Sequence, residues 1–334
     1  MRICLITGSY PPEVCGVGDY TKRLGDALQA AGDEVVIFNR QDWSLTKVYQ
    51  YARELRTLDA DVYLLQYPTE GYRYSLVPQM LVFALARKRR FITLHEYSRK
   101  SLKGKLAIYL FFLSGCDFIF TNKLDAKFAS RWAPWMNTPR IISIGSNIPW
   151  KETTSPEFDL SYFGLIRPHK GIEEFIEKAI AFKQALPNAR IAFIGDVPCG
   201  YEAYAQGVLD LAYGQGFEIK VGLDMECVSN VLRGTKICFF PFSEGLSERR
   251  GSVLAALGNG SLVVGTGFEP DVSPEFKRSV VIISPDLELH HIYEMNESGA
   301  FLDVKDSART YCRSRSWNYI AAQHRCEFEG GEGG

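Results

Sequence analysis

The sequence predicts an α/β protein of two doubly wound halves that face a central cleft. Three observations lead there. Short, continuous apolar runs such as Ile3-Cys4-Leu5-Ile6-Thr7 and Ile237-Cys238-Phe239-Phe240 recur along the chain, and such runs suit parallel strands covered on both faces. Segments with helical spacing alternate with them, the pattern of a parallel sheet wrapped by helices. The 334 residues amount to about two domains, and a stretch with two prolines, charges and threonines, 148–156, reads as a linker.

The elements follow in order. Strand 3–7 closes at Gly8 and is followed by a Pro- and Gly-bearing turn, 11–18. Tyr20, Leu24, Ala27, Leu28 and Ala31 then recur at helical spacing until Gly32 stops them. Strand 34–38, a helix around 45–58, strand 62–67, a helix over 76–86 and strand 90–94, which ends at His95, come next. Strands 117–121 and 140–144 complete the first half, placed at 1–150. The second half, 151–310, runs as strand 159–164, helix 172–185, strand 190–194 ending in Gly195, and helix 202–213. Strand 218–221, helix 225–233, strand 237–241, helix 251–257, strand 262–266 and strand 280–283 follow. A long helix is expected over 300–328, with 311–328 as a separate C-terminal piece, and 329–334 as a disordered tail.

Composition narrows the function. The formal charge of -1 argues against a general nucleic-acid binder, which would need a strong basic excess, and leaves room for a local basic patch. The eight cysteines form no CxxC pair; reduced structural thiols imply a cytosolic setting. The chain enters a strand at Arg2–Ile6 with no charged lead and apolar core, so no signal peptide is expected, and no run of about 20 apolar residues spans a membrane.

Ligands of doubly wound folds bind outside the carboxyl ends of strands, and four stretches sit there. Gly16-Val17-Gly18 lies between the first strand and the first helix, where glycines let backbone amides approach an anion. His95 at its strand end can hydrogen-bond a sugar hydroxyl near neutral pH. Arg167 and Lys170 lie in the loop that enters the first helix of the second half, two cations beside a helix N-terminus and suited to a diphosphate. Glu244 to Ser252 opens the helix after strand 237–241. There Glu244 can grip sugar hydroxyls, Gly251 and Ser252 point amides at a phosphate, and Arg249 or Arg250 adds a charge-assisted bond.

Together these stretches resemble the retaining GT-B glycosyltransferases of family 4. The resemblance covers nearly the whole chain. It rests on Pro11-Pro12 with Cys15 to Tyr20, on Gly164 to Gly171, on the block from Pro241 to Thr266 and on Ser316-Trp317-Asn318-Tyr319-Ile320-Ala321. It implies two Rossmann-like domains, with a nucleotide-diphosphate sugar such as a UDP- or GDP-hexose held mainly by the second. Arg167 and Lys170 fall on the family's diphosphate-binding pair, Gly16, Val17 and Gly18 on its glycine loop, and His95 where members touch the donor sugar. Gly195, Ser247, Arg249, Arg250, Gly251 and Ser252 are counted with the donor-binding residues. The last helix, with Trp317, is expected to pack back on the first half. No metal or other cofactor is expected, since cationic side chains and helix ends balance the leaving diphosphate; Asp59-Ala60-Asp61 precedes a strand and reads as a loop. The chain departs from the family at its glutamate pair. Eight residues after Glu244 stands Ser252, and alignment from Thr266 puts Ser247 and Ala255 at the two positions.

The reaction expected is hexosyl transfer with retention, in polysaccharide or glycoconjugate synthesis. The rival readings are a nicotinamide-dependent oxidoreductase, a sugar-nucleotide epimerase of the same fold and a non-catalytic nucleotide-binding protein. The oxidoreductase would need a third glycine after Gly18, and the sequence lacks it. A glycan or lipid-linked acceptor is assigned to the first half. Arg87-Lys88-Arg89-Arg90 and Arg99 to Lys105 stand beside the apolar run Leu106–Phe112, and such a pairing suits peripheral contact with an anionic membrane at the cytoplasmic face.

Overall fold

The structure, a computed structural model, describes residues 1–13, 15–98, 100–150, 155–284 and 286–330. The chain divides into two units, Met1–Gly145 with Arg315–Gly334, and Ser146–Ser314. In the first unit β1 (Arg2–Thr7), α1 (Gly16–Ala30), β2 (Glu34–Asn39), α2 (Val48–Thr57), β3 (Val62–Tyr67) and α3 (Val77–Ala84) come first. They are followed by β4 (Arg90–Leu94), α4 (Leu102–Phe112), β5 (Asp117–Phe120), α5 (Lys123–Trp132) and β6 (Arg140–Ile141). The second unit runs β7 (Phe158–Leu165), α6 (Ile172–Ala185), β8 (Ile191–Asp196), α7 (Glu202–Gly214), β9 (Glu218–Val221), α8 (Met225–Arg233) and β10 (Thr235–Phe240). It continues with α9 (Gly251–Gly258), β11 (Leu262–Gly265), α10 (Pro274–Arg278), β12 (Val281–Ile282), α11 (Leu289–Glu297) and α12 (Leu302–Arg313). The chain then returns to the first unit with α13 (Trp317–Glu329).

Each unit holds a six-stranded parallel sheet, in the orders β2-β1-β3-β4-β5-β6 and β12-β11-β10-β7-β8-β9. Alternate residues of one strand serve opposite faces. Cys4 and Ile6 join a core with Tyr63 and Leu65, while Ile3 and Leu5 join another with Tyr20, Leu24 and Phe328. That two-sided burial is why the strands read as unbroken apolar runs. In the second unit, Leu160 and Tyr162 of β7 pack with Phe175 of α6 and Phe193 of β8.

Three boundaries differ from the expectation. The units part at Gly145, not at residue 150, because the next segment packs on the second unit: Asn259 Nδ2 donates to the Pro149 carbonyl at 3.1 Å, and a side chain on Gly258 would collide with the Trp150 indole. Residues 151–154 of the expected linker lie outside the described residues. The long helix 300–328 is two helices, and the chain changes unit after Ser314 rather than at 310. Ser316 accepts from Tyr319 N and caps α13, so the local sequence starts a new helix where periodicity alone suggests continuation. Of the expected tail, Glu329 ends α13 and Gly330 is its left-handed C-cap, with φ of 79°; residues 331–334 lie outside the described residues.

Candidate functional site

Counted from its own first strand, the second sheet has the order 6-5-4-1-2-3, so its topological switch lies between β7 and β10. Ligands of open parallel sheets bind at the carboxyl ends of the strands beside such a switch. The two loops leaving those ends are Ile166–Gly171 and Pro241–Arg250, the loops that carry the sequence-predicted cations. Gly171 lets them meet. Its φ is 68°, and a Cβ there would lie 2.0 Å from the Pro241 carbonyl oxygen, so only glycine allows this approach. Gly245 plays the same part beside the β11 loop, with φ of 85° and a Cβ that would lie 2.6 Å from the Phe268 carbonyl carbon.

The cations converge. The Lys170 carbonyl accepts from the Tyr162 hydroxyl at 3.1 Å, and its ammonium lies 6.0 Å from the Phe242 ring centroid. Arg250 stacks its guanidinium 4.2 Å from the same centroid and donates through Nε to the Gly245 carbonyl at 3.0 Å. Burial lowers the Lys170 pKa, Arg167 and Arg250 lower it further, and Glu244 and Glu269 oppose them. A lysine whose charge is disfavoured in this way gains from a bound anion.

Glu269 is the residue that sequence reasoning missed. Its buried carboxylate takes Arg249 Nη2 at 2.7 Å on one oxygen and Arg250 Nη2 at 2.9 Å on the other. Arg250 also reaches the exposed Glu244 carboxylate at 3.1 Å. Both arginines are thus fixed by Glu269 beneath the loop. The Ser247 hydroxyl is buried and has no hydrogen-bond partner among the described residues. Glu248 turns away from the cations, to Ser273 and the Tyr311 hydroxyl. Gly251 and Ser252 form the first turn of α9, where no side chain caps the helix; amides there lack intrahelical acceptors and favour an anion. Gly195 has a packing reason instead: it pairs with Gly164 across β7 and β8, and a Cβ would lie 2.2 Å from the Gly164 carbonyl oxygen.

In the first unit, Gly16, Val17 and Gly18 begin α1, whose N-terminus also has no side-chain cap. Gly18 packs close to Ser9, its Cβ position 3.0 Å from the Ser9 carbonyl oxygen. His95 follows β4, and its Nε2 lies 2.8 Å from Gln66 Oε1. With the amide oxygen accepting, Nε2 carries the proton and Nδ1 is the acceptor. The imidazole meets the Tyr20 ring edge-on at 4.6 Å, and Tyr20 meets Trp317 of α13 at 5.1 Å. Burial, with His324 nearby, drives the His95 pKa down to about 3. Enclosure by Tyr20 and its neighbours keeps the ring neutral at neutral pH.

Among the described residues no group of three His, Cys, Asp or Glu side chains is placed to hold a metal ion. Asp59 and Asp61 lie between α2 and β3, where Asp61 accepts from Arg2 N at 2.7 Å and Asp59 pairs with Lys88 at 2.6 Å.

Glycosyltransferases are among the solved structures with a similar fold. Anabaena HepE, in complex with UDP and glucose, matches with a TM-score of 0.71 at 15% identity, over 99% of this chain and 100% of that one. A glycosyltransferase from Rickettsia africae matches with a TM-score of 0.71 at 11% identity, over 98% of each chain. An α-glucosyltransferase in complex with UDP and a 13-mer DNA matches with a TM-score of 0.65 at 13% identity, over 98% of this chain and 99% of that one. The fold is GT-B. No protein-family model matches the sequence, and no curated protein does. At these identities the likeness concerns the fold; what the chain does has to be argued from its residues.

Proposed function

We propose that the chain is a retaining glycosyltransferase that moves a hexose from a UDP- or GDP-hexose to a glycan or lipid-linked acceptor in polysaccharide or glycoconjugate synthesis. The observation that carries this reading is the cluster of Lys170, Arg250 and Phe242 at the sheet switch, with Arg167 acting on Lys170, the uncapped N-terminus of α9 and a lysine whose charge burial disfavours. Such a constellation favours a diphosphate. The glycosyltransferase structures with bound UDP support the donor class.

In the proposed reaction the C1–O bond to the diphosphate breaks and a bond from C1 to the acceptor oxygen forms on the same face. The acceptor proton passes to the departing phosphate oxygen. Separating an oxocarbenium-like sugar from the diphosphate is the main barrier, so stabilising the leaving charge is the largest lever. Lys170, Arg167 and the α9 amides take that role without a metal ion, and Glu244 holds sugar hydroxyls. His95 and the Gly16–Gly18 turn belong to the proposal on the resemblance alone: a neutral ring for a sugar hydroxyl, and amides for an anion.

Arg167→Ala and Lys170→Ala should each cut turnover by about a hundredfold or more, the scale of a lost oxyanion donor, with the fold intact by circular dichroism. Near-wild-type rates in both variants overturn the assignment. Proton NMR of the first-formed product should show the anomeric configuration of the donor, and EDTA should leave the rate unchanged.

A further inference from the structure

The sequence places nine Lys and Arg between Gly71 and Cys116 against one carboxylate, Glu96, in a chain whose formal charge is only -1. The structure shows what these cations surround. On α3 and at its N-cap the exposed residues Leu76, Met80 and Phe83 recur at i, i+4 and i+7, which is one helix face. Tyr74, just before the helix, is fully exposed. On α4 Leu102 and Leu106 are 85% and 66% exposed, while Ile108, Phe111 and Phe112 fill the core. Leu113, just past the end of α4, is exposed on the rim of a pocket of about 280 Å³ floored by Phe112, Phe118, Trp135 and Met136. The helices are neighbours, since Gln79 Nε2 of α3 donates to the Ala107 carbonyl of α4 at 3.2 Å.

These stripes face solvent in the folded chain, and a core or a turn needs neither. A contiguous exposed apolar patch marks an interaction surface. Its rim fixes the kind of partner. Arg73, Arg87 and Lys103 are exposed and make no ion pair among the described residues, whereas Lys88 and Lys100 are already paired with Asp59 and Glu96. A second copy of this face would set like charges against each other. An anionic bilayer accepts both components, the leucines and aromatics at the acyl boundary and the cations at the headgroups. No helix among the described residues is long and apolar enough to cross a membrane, so the contact is peripheral.

We propose that the α3–α4 face docks this chain on anionic membrane, with Leu76, Met80, Phe83, Leu102 and Leu106 inserted at the interface and Arg73, Arg87 and Lys103 at the headgroups. This inference rests on the exposed face and is independent of the donor reading. The test is flotation of the full chain with phosphatidylcholine vesicles, with and without phosphatidylglycerol, at low and high salt. The wild type should float with the phosphatidylglycerol vesicles at low salt, and less at high salt. The triple variant Arg73→Gln/Arg87→Gln/Lys103→Gln should lose about 100-fold in partitioning, at ~1 kcal/mol per cation. Leu102→Ser/Leu106→Ser should lose binding at either salt, and all variants should unfold at the wild type's temperature. Failure of the wild type to float at low salt overturns the proposal, as does equal flotation of the variants. A dimer in light scattering that the leucine variant dissociates, with flotation unchanged, assigns the face to a second copy and also overturns it.

Discussion

Glu269 shows how one carboxylate can order a cationic loop. Its side chain is 2% exposed, and the side chains of the two arginines it holds are 21% and 13% exposed. A buried acid lacking a partner would be costly, and so would two half-buried arginines without their acceptor. Glu269→Gln keeps the shape and removes the charge. It should destabilise the protein by about 1–3 kcal/mol, the penalty for half-satisfied buried donors, read from urea denaturation; an unchanged midpoint would show that the arginines are held by other groups. His324 is a second case. It is fully buried on α13, its Nδ1 lies 2.9 Å from the Ile320 carbonyl, and burial depresses its pKa to about 4. Unfolded histidine takes up a proton below about 6.5, while folded His324 does so only near 4 and His95 near 3. The unfolded state therefore binds more protons between those values, and stability is full at neutral pH and falls as pH drops through that window. Between pH 7 and pH 5 His324 should account for about 2 kcal/mol of lost stability. His324→Leu should remove that portion of the loss; an unaltered pH profile would show that His324 is accessible to protons in the native fold.

At the scale of elements, legibility depends on where the signal lies. β1, β3, β4 and β10 are covered on both faces, so their sequences are continuous apolar runs and can be read almost to the residue. The loops at β7 and β10 stand out because cations and glycines right after such runs have few structural reasons to be there. Helices α5, α10 and α11 are not evident in the sequence. α10 has only five residues, too few to show a helical period, and α5 and α10 each start at a single polar cap, Asn122 and Ser273. The break between α12 and α13 is hidden because both flanking segments continue the helical spacing, while the return of α13 to the first unit depends on what Trp317 and Phe328 touch. Glu269 escapes for a related reason. It follows β11, far in sequence from Arg249 and Arg250, and no spacing rule links a carboxylate to cations 20 and 19 residues before it. Gln66 is likewise invisible, since only the β3–β4 pairing brings it to His95.

Over the whole molecule, the two sheets differ in order as well as in sequence. The first places only β2 outside β1, whereas the second places both β8 and β9 outside β7. They also differ in continuity. Residues 146–314 form the second unit without interruption, but the first unit is closed by a helix that arrives after the second is complete. In that helix Ile320, Ala321 and Phe328 are buried in the core with Leu24 and Phe91, Glu327 pairs with Arg140, and Arg325 pairs with Asp33 at 3.1 Å. Burial of Ile320 and Phe328 is worth about 1.5–3 kcal/mol each, and the half-buried Trp317 adds a part of that, which together approaches a whole domain's net stability of about 5–15 kcal/mol. Ending the chain after Ser314 should therefore unfold or loosen the first unit while leaving the second folded. In limited proteolysis the truncated chain should lose residues 1–145 rapidly and keep a resistant fragment beginning near Ser146. That fragment should still show a thermal shift with UDP, because Lys170, Arg250 and Glu269 all lie within it. A truncated chain as resistant over residues 1–145 as the intact one would mean that α13 covers the first core without contributing to it.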